Sequence, residues 1–175
     1  MADLPQERIQ PSPPFSYVGV DTFGPWLTTQ RRTRGETLNQ KRWALMFTCL
    51  VTRAVHLETI EELSTTSFIN ALRRFMALRG PVVQFRSDRG TNFFGAVHEL
   101  NIPSDLVEDP ISKKYLDENH VTWVFNPPHA SHFGGAWERM IGASRRILDS
   151  LLLDHKGPLT LDILTTFLME VSAIL

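Results

Sequence analysis

Ser16-Tyr17-Val18-Gly19-Val20-Asp21 is a short apolar run, rich in β-branched and aromatic residues, that closes on an acid. It reads as a strand reaching Asp21 near its end. Trp43 to Val51 and Ala54 to Thr59 repeat that character around the break Thr52-Arg53, so three strands follow one another in sequence. Ser64 to Leu78 then changes period. Ser64 or Thr65 can cap a helix there, Phe68, Leu72, Phe75 and Met76 form its apolar stripe, and Gly80-Pro81 ends it. Pro81-Val-Val-Gln-Phe-Arg-Ser-Asp88 is a fourth strand stopping at the turn signal Asp88-Arg89-Gly90, and Val121 to Phe125 is a fifth. Trp137, Ile141, Ser144, Leu148 and Leu151 recur at helical spacing in a helix opening near Glu138, and Leu161 to Leu175 forms a last amphipathic helix. Five strands, the first three in succession and the later ones interspersed with helices, among them a short one near Ser112 to Glu118, predict an α/β fold.

Three acids occupy three different places in that order. Asp21 and Asp88 each end a run that should be buried, and a carboxylate there needs a partner or a metal to offset its desolvation. If the two strands share a sheet edge, a helix laid across the sheet brings Glu138 over both. The arrangement suggests a metal-dependent phosphoryl-transfer site. Plainer readings exist: Asp-Arg-Gly is ordinary turn chemistry, and a glutamate in a first helical turn is favoured by the helix dipole.

Three segments carry a resemblance. Tyr17-Val-Gly-Val-Asp21-Thr-Phe-Gly-Pro25, Phe85-Arg-Ser-Asp88-Arg-Gly-Thr-Asn-Phe93 and Asn126-Pro-Pro-His-Ala-Ser-His-Phe-Gly-Gly-Ala-Trp-Glu138-Arg139 resemble, in order, the catalytic core of retroelement integrases, most closely those of BEL/Pao long-terminal-repeat retrotransposons. The resemblance runs from about residue 14 to the C-terminus. It implies an RNase H-like fold, with a central mixed five-stranded sheet flanked by helices, and a catalytic, metal-binding triad of Asp21, Asp88 and Glu138 holding two Mg²⁺ (or Mn²⁺) ions. The implied activity is DNA 3′-end processing and strand transfer by an in-line attack on a phosphodiester. The implied partners are element DNA ends, target DNA and further copies of the chain. Two other readings stand beside it: an RNase H-like nuclease that only hydrolyses, and a domesticated domain that binds DNA or protein without catalysis.

The sequence also departs from the family's pattern. Asp88 and Glu138 lie 50 positions apart, wider than in the retroviral relatives, and residues 101 to 120 hold the extra length as a surface elaboration with a short helix near Ser112 to Glu118. Arg89 stands where those relatives carry Asn. Of two basic positions that help hold donor DNA there, the first is Gly142 here and the second is Arg145. Arg145 is thus the carried-over nucleic-acid contact, joined as candidates by Arg139, His129 and His132. The spacing His129-x-x-His132 also invites zinc. Pro127-Pro128 and Gly134-Gly135, however, predict a loop over the active site rather than a helix that would align two imidazoles.

Composition bounds the rest. A chain of 175 residues with 42% hydrophobic residues, 11 Phe and 4 Trp builds one sizeable core. The expected division is a linker over 1–13 and a catalytic core over 14–175, cut from a longer polyprotein at or within the last helix. The first residues have neither the basic start nor the apolar middle of a secretory signal, and no apolar run reaches the ~18 residues of a membrane span. An intracellular protein, nuclear when acting on chromosomal DNA, is expected. Cys49 lies inside an apolar strand and says nothing of disulfides. A net charge of −1 is low for a nucleic-acid enzyme, yet Arg31, Arg32, Arg34, Lys41 and Arg42 cluster between the first two strands, as a solvated hairpin tip or a DNA contact.

Overall fold

A computed structural model describes residues 11–31, 37–88, 104–126 and 131–175. The chain runs β1 (Tyr17–Arg31), β2 (Thr37–Cys49), β3 (Val55–Ile60), α1 (Thr65–Arg79), β4 (Gln84–Ser87), α2 (Ser104–Glu108), α3 (Pro110–Glu118), β5 (Thr122–Phe125), α4 (Ser131–Asp154) and α5 (Leu161–Ile174). The five strands form one sheet in the order β3-β2-β1-β4-β5. β1, β2 and β3 pair antiparallel as a meander, while β4 and β5 add in parallel on the other side of β1. The mixed sheet and its flanking helices match the expectation from the sequence.

Strand alternation divides the core into two layers. Val18 and Val20 of β1 and Leu45 and Phe47 of β2 face α1, whose Phe68, Leu72 and Phe75 are fully buried against them, with Leu116 of α3 closing that layer. Phe47 stacks on Phe75 with ring centroids 4.0 Å apart. On the opposite face Phe23, Ala44 and Met46 pack against Trp137 and Leu148 of α4 and Leu164 and Leu168 of α5. Helix ends follow local chemistry. Ser64 caps α1 by accepting from the Ser67 N–H, and Thr160 caps α5 by accepting from Ile163 N–H. Gly80 ends α1 at φ 94°, with its N–H donated to the Met76 carbonyl.

Several boundaries differ from the sequence expectation. β1 does not stop near Asp21. It continues ten residues to Arg31, passing a register shift between Phe23 and Trp26 that holds the cis Gly24-Pro25 bond, and pairs with β2 as far as Arg31↔Thr37. Lys41 and Arg42 are therefore ladder residues, not part of a loop, and the remaining polar connection, 32–36, lies outside the described residues. The ladder hydrogen bonds extend both strands past the apolar pattern that the sequence shows. The insertion carries α2 in addition to the expected helix, and Pro110 opens α3 with Asp109 as its cap, accepting from Ile111 N–H. α4 begins at Ser131 rather than beside Glu138, so Gly134 and Gly135, read from sequence as loop, are helical despite a cost of about 1 kcal/mol each. Among the described residues no helix is long and apolar enough to cross a membrane.

Candidate functional site

The parallel pairing of β1 with β4 runs Tyr17↔Gln84, Val18↔Phe85 and Gly19↔Arg86. Continued by two residues, the same offset sets Asp88 opposite Asp21. This is also where the sheet reverses: from β1 the chain first builds outward through β2 and β3, then returns to add β4 on the other side. Parallel strands splay apart at such a switch point, and their carboxyl ends leave a crevice in which ligands bind.

Glu138 is drawn towards the same end of β1 through a packing contact. Gly19, Asp21 and Phe23 share the face of β1 on which α4 lies. Trp137 is fully buried there, its ring seated so closely on Gly19 that a Cβ at that position would stand 2.3 Å from Trp137 Cε3. Removal of one side chain thus lets the indole dock on the strand two residues before Asp21. The docked indole brings the neighbouring Glu138 to the acid end of the strand.

The electrostatics of Asp21 register the gathering. Its carboxyl is pushed up from 3.8 to about 8, first by burial, then against the opposing hydrogen bond from Thr22 N–H, and further by the charges of Asp88 and Glu138, with Arg145 pulling the other way. Thr22 N–H donates to Asp21 Oδ1 at 2.7 Å. Asp88 is half-buried at the end of β4, and Asn126 Nδ2 donates to its Oδ1 at 2.6 Å. Glu138 is exposed. Arg145, seven residues and two helical turns beyond Glu138, places its guanidinium 5.8 Å from the centroid of the Phe23 ring.

Three carboxylates offering only oxygen donors suit a hard divalent cation such as Mg²⁺ or Mn²⁺. Burial is the main reason the Asp21 carboxyl is raised, and the repulsion that Asp88 and Glu138 add is what a cation would relieve. Among the described residues, however, no three acids, histidines or cysteines are drawn together closely enough to enclose an ion. The donor chemistry fits a metal, but the three acids are not drawn together as an ion-holding group in this structure.

The other sequence candidates divide. Arg145 lies within electrostatic reach of Asp21. Arg139 is exposed and turned to its own helix, its Nε donating to the Gly135 carbonyl at 2.9 Å. His129 lies outside the described residues, and His132 is described only as backbone in the first turn of α4. Two residues were not singled out from sequence. Gly19 had a signal, a glycine inside an otherwise β-branched strand, which marks close approach of another group. Asn126 had only its place between a strand and Pro127-Pro128.

No protein-family model matches the sequence, and no curated protein matches it either. Solved structures do match. A chain of the simian T-cell lymphotropic virus intasome, determined in complex with PP2A regulatory subunit B56 gamma, superposes with a TM-score of 0.62 at 12% identity, covering 89% of this chain and 48% of that one. This chain thus spans about half the length of that relative. The HTLV-2 integrase catalytic core domain in complex with magnesium matches in its trimeric and dimeric forms with a TM-score of 0.59 and 14% identity, covering 91% of this chain and 84% and 85% of those. Likeness at such identity is likeness of fold: the chain has the RNase H-like fold found in retroviral integrase catalytic cores.

Proposed function

We propose that this chain is the catalytic core of a retroelement integrase, a polynucleotidyl transferase that processes DNA 3′ ends and joins them to target DNA. The carrying observation is that acids from three separate motifs converge on one end of β1: the β1–β4 offset leads to Asp88, the Gly19–Trp137 contact carries Glu138, and the charges of both bear on Asp21, although 117 positions separate the first acid from the last. The resemblance of those motifs to BEL/Pao elements supports assigning the chain to a retrotransposon of that type. The structural neighbours, one solved as an intasome and two as magnesium-bound integrase cores, support the same reading.

Asp21, Asp88 and Glu138 would hold divalent cations. Two Mg²⁺ or Mn²⁺ ions would activate a water or a DNA 3′-hydroxyl and stabilise the leaving oxygen. The chain's own residues supply placement. The β1–β4 offset, continued past Gly19↔Arg86, would set the two aspartates opposite each other, the Gly19–Trp137 contact would carry Glu138 towards them, and the Arg145 guanidinium would be available to pair with a DNA phosphate. Water as nucleophile gives end processing, and a 3′-hydroxyl gives strand transfer. More than one copy of the chain would be needed to act on two DNA ends, and work on chromosomal DNA would place it in the nucleus.

A disintegration assay tests this reading. The purified chain is offered a branched DNA with Mg²⁺ or Mn²⁺, beside Asp88→Asn. Metal-dependent resealing that vanishes in the variant is the expected result. Equal activity in Asp88→Asn would remove the assignment.

A further inference from the structure

We propose that Asn126 is a positioning residue for Asp88, holding one carboxylate oxygen so that the other is presented to a divalent cation; the inference rests on the integrase reading of the site. Asn126 is the first residue after β5 and is only 6% exposed. Its main chain already completes the sheet, because Asn126 N donates to the Ser87 carbonyl at 2.8 Å. Any residue except proline could make that bond. The side chain does something more: Nδ2 donates to Asp88 Oδ1 at 2.6 Å, a short, charge-assisted bond across 38 residues of sequence. Trp123 Nε1 grips the neighbouring Ser87 Oγ at 3.1 Å, so the end of β4 is held from β5 by main chain, indole and amide together.

An amide suits this role in a way that other side chains do not. It donates without adding charge, so it fixes the carboxylate without setting a side-chain cation where a divalent ion would have to bind. With Oδ1 occupied by an N–H, the carboxylate is held in one orientation and Oδ2 is the oxygen turned to a cation. Outer hydrogen bonds of this kind orient a metal's ligands, and their loss typically weakens binding by roughly 10- to 100-fold.

Mn²⁺ binding to the intact chain, measured by electron paramagnetic resonance of the free ion and by calorimetry, tests the idea without relying on activity. Wild type, Asp88→Asn and Asn126→Ala are compared, with urea unfolding in the absence of metal as the measure of folding. Asn126→Ser is carried alongside, because it keeps a polar group at a buried strand end if alanine fails to fold. The expected result is Mn²⁺ binding by wild type and a roughly 10- to 100-fold weaker dissociation constant in the folded Asn126 variant. Unchanged affinity in that variant, with binding lost in Asp88→Asn, overturns the role of Asn126 and leaves the site standing. No binding by wild type, or equal binding by Asp88→Asn, removes the site itself and the inference with it.

Discussion

Gly19→Ala is the sharpest test of how α4 is set on the sheet. The new Cβ would stand 2.3 Å from Trp137 Cε3, with Cζ3 at 3.0 Å and Cδ2 at 3.1 Å, where ordinary contact begins at 3.4 Å. The indole must therefore retreat by roughly 1 Å. It cannot swing into solvent, because Trp137 is completely buried among Phe23, Met46, Leu148 and Leu164. Overpacking of this kind costs about 1–3 kcal/mol. Alanine recovers about 0.5–1 kcal/mol through the smaller entropy of its unfolded chain, since the backbone at Gly19 needs no positive φ. A net loss of up to about 2.5 kcal/mol follows, or up to roughly 10 °C in melting temperature at this size. Urea unfolding of Gly19→Ala, Trp137→Phe and the double variant closes the cycle, with a coupling of about 0.5 kcal/mol or more expected for groups in contact. Stability within 0.3 kcal/mol of wild type (about the error of additivity), with no coupling to Trp137, would refute the account.

Gly80→Ala makes the opposite kind of demand: nothing lies within 4 Å of its Cβ position but φ is 94°, so the loss of about 1–3 kcal/mol in urea unfolding comes from backbone strain alone. Glu58 is buried, yet hydrogen bonds from His56 at 2.8 Å and Arg74 at 2.7 Å outweigh burial and hold its carboxyl below the ordinary value. Glu58→Ala should cost about 1–3 kcal/mol at pH 7, and the deficit should shrink as pH falls through that lowered value, because the contribution exists only above the unfolded-state pKa. Asp21 runs the other way: raised from 3.8 to about 8, its contribution is complete below about pH 4 and is lost as pH climbs to about 8. The stability of Asp21→Asn relative to wild type should accordingly rise across that interval without metal, and a flat difference would count against the raised value.

Legibility in the sequence follows the range of the interaction that decides each feature. The meander, α1 with its Ser64 cap, and α5 announce themselves because period and capping are local. The extension of β1 to Arg31 does not, since it depends on β2 supplying ladder bonds as far as Thr37. The early start of α4 is hidden by Gly134 and Gly135, whose poor helix propensity is overridden by a helix packed on the sheet through Trp137 and Leu148. Trp137 shows from sequence only as one member of an apolar stripe. That its partner is Gly19, 118 residues earlier, is a fact of tertiary register. Asn126 is hidden for the same reason: nothing local distinguishes an asparagine that ends a strand from one that orients a carboxylate.

Two departures from ordinary folding rules meet where α4 crosses the acid end of β1. A carboxyl buried enough to rise to about 8, with the charges of two further acids bearing on it and only partly offset by the Thr22 N–H hydrogen bond and Arg145, is a poor choice for stability. The adjacent indole adds to it, because Trp137 Nε1 is buried with no hydrogen-bond partner among the described residues. Elsewhere the same fold satisfies buried charge, as the His56–Glu58–Arg74 cluster shows. A chain able to pair Glu58 so completely has no physical need to leave Asp21 exposed to repulsion. The under-compensated acid and the packing that holds Glu138 near it are what a site awaiting cations would require, and what a merely structural domain would be free to lose.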